Sequence, residues 1–234
     1  MQITKPGIAH PAPSDCGADP HRKEPADDEE DDEEVDDEDQ VGHHRPSMAQ
    51  RFPKLTLEQM NAAQRAVAGE ITAGPRSEVR GPFIALLHNP ELARHVQRLG
   101  EHLRWHGKLP PRLKELAVLV TARRWTCQHE WVMHSKLALD GGLAPQIVQA
   151  IQAGRKPEGM SADENSVYAF CSELHATGRA GDQSFREIEN RFGLDGALEL
   201  IALNGYYTLM AMVLNTAGLP LPGNVAPPLA EKGS

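Results

Sequence analysis

Cysteine is scarce in this 234-residue chain, with three residues, at positions 16, 127 and 171. Thiols this few and this scattered exclude a disulfide scaffold, and an odd number leaves at least one without an intramolecular partner. A reducing, cytoplasmic setting is expected. The opening residues, MQITKPGIAHPAPSDCGADP, lack an apolar core of signal-peptide length, so no export signal is expected. A basic excess is also missing. The formal charge of −9 is set by residues 27–39 (DDEEDDEEVDDED), which hold 12 of the 33 acids; the remainder has 24 bases against 21 acids, a net +3. Such a near-neutral body has neither the basic stripe that phosphate backbones require nor a polybasic membrane patch, so neither nucleic acid nor membrane is expected as a partner. The nearest approach to a membrane span, Gly196 to Leu214, is interrupted by Glu199, Asn204 and Gly205 and reads as a buried helix.

What is present divides the chain in three. Residues 1–47 combine Pro, Gly, His and the acidic run with almost no large apolar side chains, so they cannot offset the cost of ordering and read as a disordered acidic tail. Residues 48–222 read as the folded domain; its apolar positions can supply a core. Residues 223–234 read as a flexible tail, because four prolines follow Leu219. From Leu55 onward apolar residues recur at helical spacing and strand-like alternation is missing, so the fold class is all-α. Helices are predicted near Thr56–Ala73, Pro90–His106, Pro111–Arg124, Thr126–Asp140, Ala144–Ala153, Ser161–Thr177, Asp182–Arg191 and Leu194–Ala217. Pro110 and Pro111 precede the third, where a missing amide donor costs nothing, and Gly141-Gly142 stops the fourth. No internal repeat is visible.

The chemistry concentrates in Glu115 to His134, ELAVLVTARRWTCQHEWVMH. Glu115 sits early in a helix with no further charge before Arg123, so a half-buried carboxylate is predicted there, and it needs a partner; a first-turn acid serving the helix dipole is the other reading. Thr126 is a plausible N-cap, which would place Cys127 in the first turn, where aligned amides favour a thiolate; a small buried hydrophobe is the alternative. Cys127, Glu130, Trp131 and His134 are offset by three, four and seven residues and so share a face. Glu130 and His134 can hydrogen bond, which would orient the imidazole for proton transfer; a surface ion pair is the plainer use. Trp131 and Trp125 are candidates for an apolar wall against a small-molecule substrate, or for core. His129 points about 100° or more from this face. Cys127, Glu130 and His134 make a poor zinc set, since catalytic zinc favours His-rich ligands, so no metal and no cofactor is expected. His95, His102 and His106 also share a face and read as a polar stripe.

Glu115, then Cys127, then Glu130 and His134 within CQHEWVMHSKLALDGGL, resemble the carboxymuconolactone decarboxylase family, which includes the AhpD-like alkylhydroperoxidases. The resemblance runs over about Leu55 to Pro222, and GPFIALLHNPEL and LPPRLKELAVL read like the family's preceding segments. In the peroxidase branch the pattern is a Glu, a Cys-x-x-Cys with a His before its second Cys, and a His four residues further. Glu115, Cys127, His129 and His134 match it, but Glu130 stands in place of the second Cys. A carboxylate cannot form the disulfide that branch passes through. The resemblance therefore implies a decarboxylase-like enzyme acting on a small lactone or cyclic carboxylate, with Glu115, Cys127, Glu130 and His134 catalytic and His129 and Trp131 at the substrate. Peroxide chemistry at Cys127, and a non-catalytic redox-sensing oligomer, are the alternatives. The resemblance further implies a homo-oligomer, trimer or hexamer, and the broadly apolar Leu200–Leu214 segment needs burial on more than one side.

Overall fold

The first helix starts where a side chain closes its open end: the Asn61 carboxamide accepts from the Gln64 amide and Gln64 reaches back to the Asn61 amide, each at 2.9 Å. This reciprocal cap sets α1 at Ala62–Ala73, later than the expected Thr56. A short α2 follows (Pro82–Leu86), then α3 (Pro90–Glu101), whose first turn is capped by Asn89 and opened by Pro90. The predicted continuation to His106 exists as a π-helical turn, His102–His106. The remaining elements are α4 (Pro111–Arg124), α5 (Gln128–Asp140), α6 (Pro145–Gln152), α7 (Ala162–Thr177) and α8 (Asp182–Ala217). A Ser161–Glu164 capping box opens α7. Gly193, at φ 70°, breaks α8 at the position where two helices were predicted to meet, a conformation that a side chain resists.

The computed structural model describes residues 50–231, which are all-α, with no strand among them. The expected acidic tail, 1–47, lies outside the described residues, as do residues 232–234. A short 3-10 turn, Pro222–Asn224, closes the helical part, and the segment from 225 to 231 has no regular structure but is tied down. Leu229 is buried, its amide donates to Gln128 Oε1 at 2.8 Å and its carbonyl accepts from Gln128 Nε2 at 2.7 Å, while Gln152 holds the Pro228 carbonyl.

The buried centre of the fold is α4. Leu113, Leu116, Leu119 and Val120 pack with α5, α6, α7 and the first buried turns of α8, and Val118 faces a second apolar cluster built from α1, α2, α3 and Tyr206, Tyr207 and Met210 of α8. Helix α8 is long and apolar enough to cross a membrane by length and composition, but half of that window is buried within the protein. Glu199, a polar interruption of that window, binds the Lys108 and Leu109 amides. Along its other side Leu194, Leu198, Ile201, Leu209 and Met212 stay exposed.

Candidate active site

The link between α4 and α5 is a tight elbow. Thr126 adopts φ 46°, unusual for a β-branched residue, and is held by Arg123, whose guanidinium donates to its hydroxyl at 3.3 Å. The Cys127 amide donates to the Ala122 carbonyl and Asn215 holds the Trp125 carbonyl, so the two helices fold back as a hairpin. Glu115 and His134 lie at similar distances before and after that elbow, and they meet.

The meeting is a chain of three side chains. His134 Nδ1 lies 2.6 Å from Glu115 Oε2, and its Nε2 lies 3.0 Å from Glu130 Oε2. His134 is 4% exposed and Glu130 5%, so both ends of the imidazole are occupied away from water. Burial alone would push the imidazole toward neutrality; hydrogen bonds to Glu115 and Glu130, then their charges, outweigh it and hold the His134 pKa at about 9. Charged as Glu⁻–HisH⁺–Glu⁻, the triad carries one net negative charge. The edge of Tyr207 stands against the imidazole with ring centroids 5.0 Å apart.

The triad opens on a cavity of about 420 Å³. From α5 come His129, Glu130, Met133, His134 and Leu137, which are spaced as one helical stripe. Tyr206, Tyr207 and Met210 of α8 form another wall. Three guanidinium groups, Arg76, Arg80 and Arg104, face it from the α1–α2 connection and the π turn. Arg80 pairs with Glu78, also in the lining. Arg76 donates to the Tyr206 hydroxyl at 3.2 Å and lies over the Phe83 ring, yet its buried Nε has no acceptor. His129 Nδ1 is likewise buried without a partner, and burial keeps the His129 pKa low despite the nearby Glu130 charge. Gly100 makes the Arg76–Tyr206 contact possible, since a Cβ there would strike the Tyr206 hydroxyl and the Arg76 guanidinium. The π turn that delivers Arg104 is fastened by Lys114, whose ammonium binds the Arg104 carbonyl at 3.1 Å.

The stripe differs from the one the sequence spacing suggested. Trp131 does not line this cavity; it is buried in the main apolar cluster with Cys171 and Phe170, and Trp125 bonds Thr208 beside a separate small cluster. Adjacent helical residues point about 100° apart, so with Glu130 toward the cavity Trp131 turns to the core and His129 comes round to the lining. Cys127 is the helix N-cap itself, in place of Thr126, and it packs against Ala211 and Leu214, fully buried. Burial first, then the Glu130 charge, push its thiol up to about 12, so the expected thiolate is not favoured. Cys171 belongs to a different cluster, where burial raises its thiol to about 12 against the Asn204 bond. His95, His102 and His106 are exposed, and no group suited to a metal ion occurs among the described residues. The arginines and tyrosines of the cavity were not anticipated. They come from separate elements, and the one available signal was the run of two tyrosines inside an otherwise aliphatic helix.

Fold and site together define a class, an all-α protein in which a helical hairpin carries a buried carboxylate–imidazole–carboxylate chain to the wall of a small cavity. The family model of the carboxymuconolactone decarboxylase family matches residues 90–173, from the start of α3 into α7. The matched stretch holds Glu115, Cys127, Glu130 and His134. Among curated proteins no relative matches the chain.

Proposed function

We propose that the protein is a decarboxylase-like enzyme that acts by general acid–base chemistry on a small cyclic carboxylate or lactone. The observation that carries this reading is the Glu115–His134–Glu130 chain opening onto a cavity whose other polar wall is Arg76, Arg80 and Arg104. With Arg80 matched by Glu78, the uncommitted charge of Arg76 and Arg104 exceeds that of the triad and favours an anionic guest. A cavity of this size suits a small molecule, and an oxygen of such a guest would satisfy the unpartnered Arg76 Nε.

Loss of carbon dioxide leaves an electron pair that a conjugated carbonyl must take up, so the site needs a donor at that oxygen and an acid that delivers a proton to carbon. Tyr207, kept neutral by burial well above the ordinary phenol range, is the donor in this scheme, with Arg76 and Arg104 on the substrate's carboxylates. The proton comes from His134. Because Glu130 covers Nε2, it passes through Glu130, while Glu115 holds Nδ1 and stabilises the imidazolium that is restored from water. Cys127 takes no part. That thiol is buried and protonated, its motif partner is a carboxylate, and these features weigh against peroxide reduction.

The test is release of carbon dioxide from 4-carboxymuconolactone and related lactone acids by the full-length protein. Turnover that Glu130→Gln abolishes supports the reading; turnover by the variant at the parent rate rejects the relay.

The chain is further proposed to self-associate. Leu194 and Leu198 are 63% and 67% exposed and, with Ile201 and Met212, continue along one side of α8 at helical spacing, an apolar strip that a second copy would cover. Gel filtration that returned a monomer would remove this part of the proposal alone.

A further inference from the structure

A second cavity, of about 300 Å³, lies where the C-terminal ends of α4 and α6 meet α7, and it shares no lining residue with the first. Its polar lining is Arg123, Arg124, Arg155, His175, Tyr168 and Ser172, and no acidic side chain lines it among the described residues. Two of these groups are engaged by the fold. Arg124 Nε donates to the His175 carbonyl at 3.2 Å, and His175 Nε2 lies 2.9 Å from the Thr121 hydroxyl. Arg123 is engaged on one side, through its bond to Thr126, but its Nε is buried with no acceptor. Arg155 is exposed at the rim.

Partial negative charge at the ends of α4 and α6 explains why cations are tolerated here. It does not supply an acceptor for the Arg123 Nε, and it does not neutralise the Arg123 and Arg155 guanidinium groups. An anion with several oxygens does both. We propose that this cavity binds the phosphoryl group of a small phosphorylated metabolite. A phosphoryl dianion presents three terminal oxygens, enough to bridge the Arg123 and Arg155 forks and still accept from the Ser172 and Tyr168 hydroxyls. A carboxylate has two oxygens and half the charge. Val120 and Ile151 provide an apolar wall for the body of the ligand. This assignment does not depend on the reaction proposed for the first cavity.

Phenyl phosphate titrated into the full-length protein by calorimetry at constant ionic strength is the test. Expected is one saturable site per chain that depends on Arg155 and is competed by inorganic phosphate. Arg155→Gln and the milder Arg123→Lys should each weaken it by about tenfold, the scale of one charge-assisted bond, with the helical circular dichroism unchanged. Arg76→Gln, in the other cavity, should leave it intact. The proposal is overturned by an absence of saturation, by benzoate competing at the Arg155-dependent site as well as inorganic phosphate does, by unchanged affinity in both the Arg155 and Arg123 variants, or by loss of that site in the Arg76 variant.

Discussion

Cys127 and His134 stand two turns apart on the same helix, both are buried, and burial leaves them in opposite conditions. At Cys127 the surroundings are Ala211 and Leu214, the loss of water and the Glu130 charge outweigh the hydrogen bonds from the Glu130 and His129 backbone, and the thiol is pushed up to about 12. At His134 the same loss of water is outweighed by two carboxylates, and the imidazole is held charged to about 9. Burial decides how costly a charge is, and the partners decide whether it survives. In the proposed reaction the imidazole end of the motif therefore does the work, although sulfur is the more familiar nucleophile.

The contrast can be broken most sharply at its charged end. Replacing His134 with Ala is expected to lower kcat for carbon dioxide release by about 10²- to 10⁴-fold, the usual contribution of a positioned acid–base group. Next in size, Arg76→Gln should reduce kcat/KM by about 10- to 100-fold, chiefly through KM, because a charge-assisted contact to the substrate is lost. The third expectation concerns pH. His134 is stabilised as a cation in the fold, so its contribution to stability is complete below 6.5 and is lost progressively as pH rises through about 9. Activity should fall on the same alkaline limb, and Glu115→Gln should move that limb to lower pH in a pH–rate profile. The smallest effect belongs to the other end. Cys127→Ala should keep activity within about threefold and cost about 1 kcal/mol of stability by urea denaturation, and the native thiol should resist iodoacetamide at neutral pH. Rapid alkylation of Cys127 in the folded protein would erase the comparison.

Periodicity and punctuation made most of the helical layout readable. The bounds of α4, with its proline start, were placed residue for residue, and the break in α8 was expected because Gly193 falls between two apolar patterns. Helix α2 escaped because five residues are too few for a period to show. The π turn escaped because His102–His106 continues the pattern of α3, and only the widened backbone tells them apart. Glu130 and His134 could be grouped from helical spacing, whereas Glu115, on the other arm of the hairpin, joined them only through the family resemblance. Trp131 was grouped with them by the same spacing and belongs elsewhere, since a helical wheel cannot say on which side of Glu130 the cavity lies. Arg76, Arg104, Tyr206 and Tyr207 were beyond reach for a different reason: no local spacing relates residues that the tertiary fold alone brings to one cavity.

Gly100 is the residue with the least to offer chemically, yet it governs how far the cavity reaches. The Tyr206 hydroxyl and the Arg76 guanidinium occupy the place where its side chain would be. Even a single methyl would have to push the phenol and the cation back toward the chamber, shrinking it and turning the Arg76 guanidinium. Position 100 thus works as a spacer gauge set from behind the wall, and under the proposed function the range of guests would be retuned there without altering any residue that would touch them.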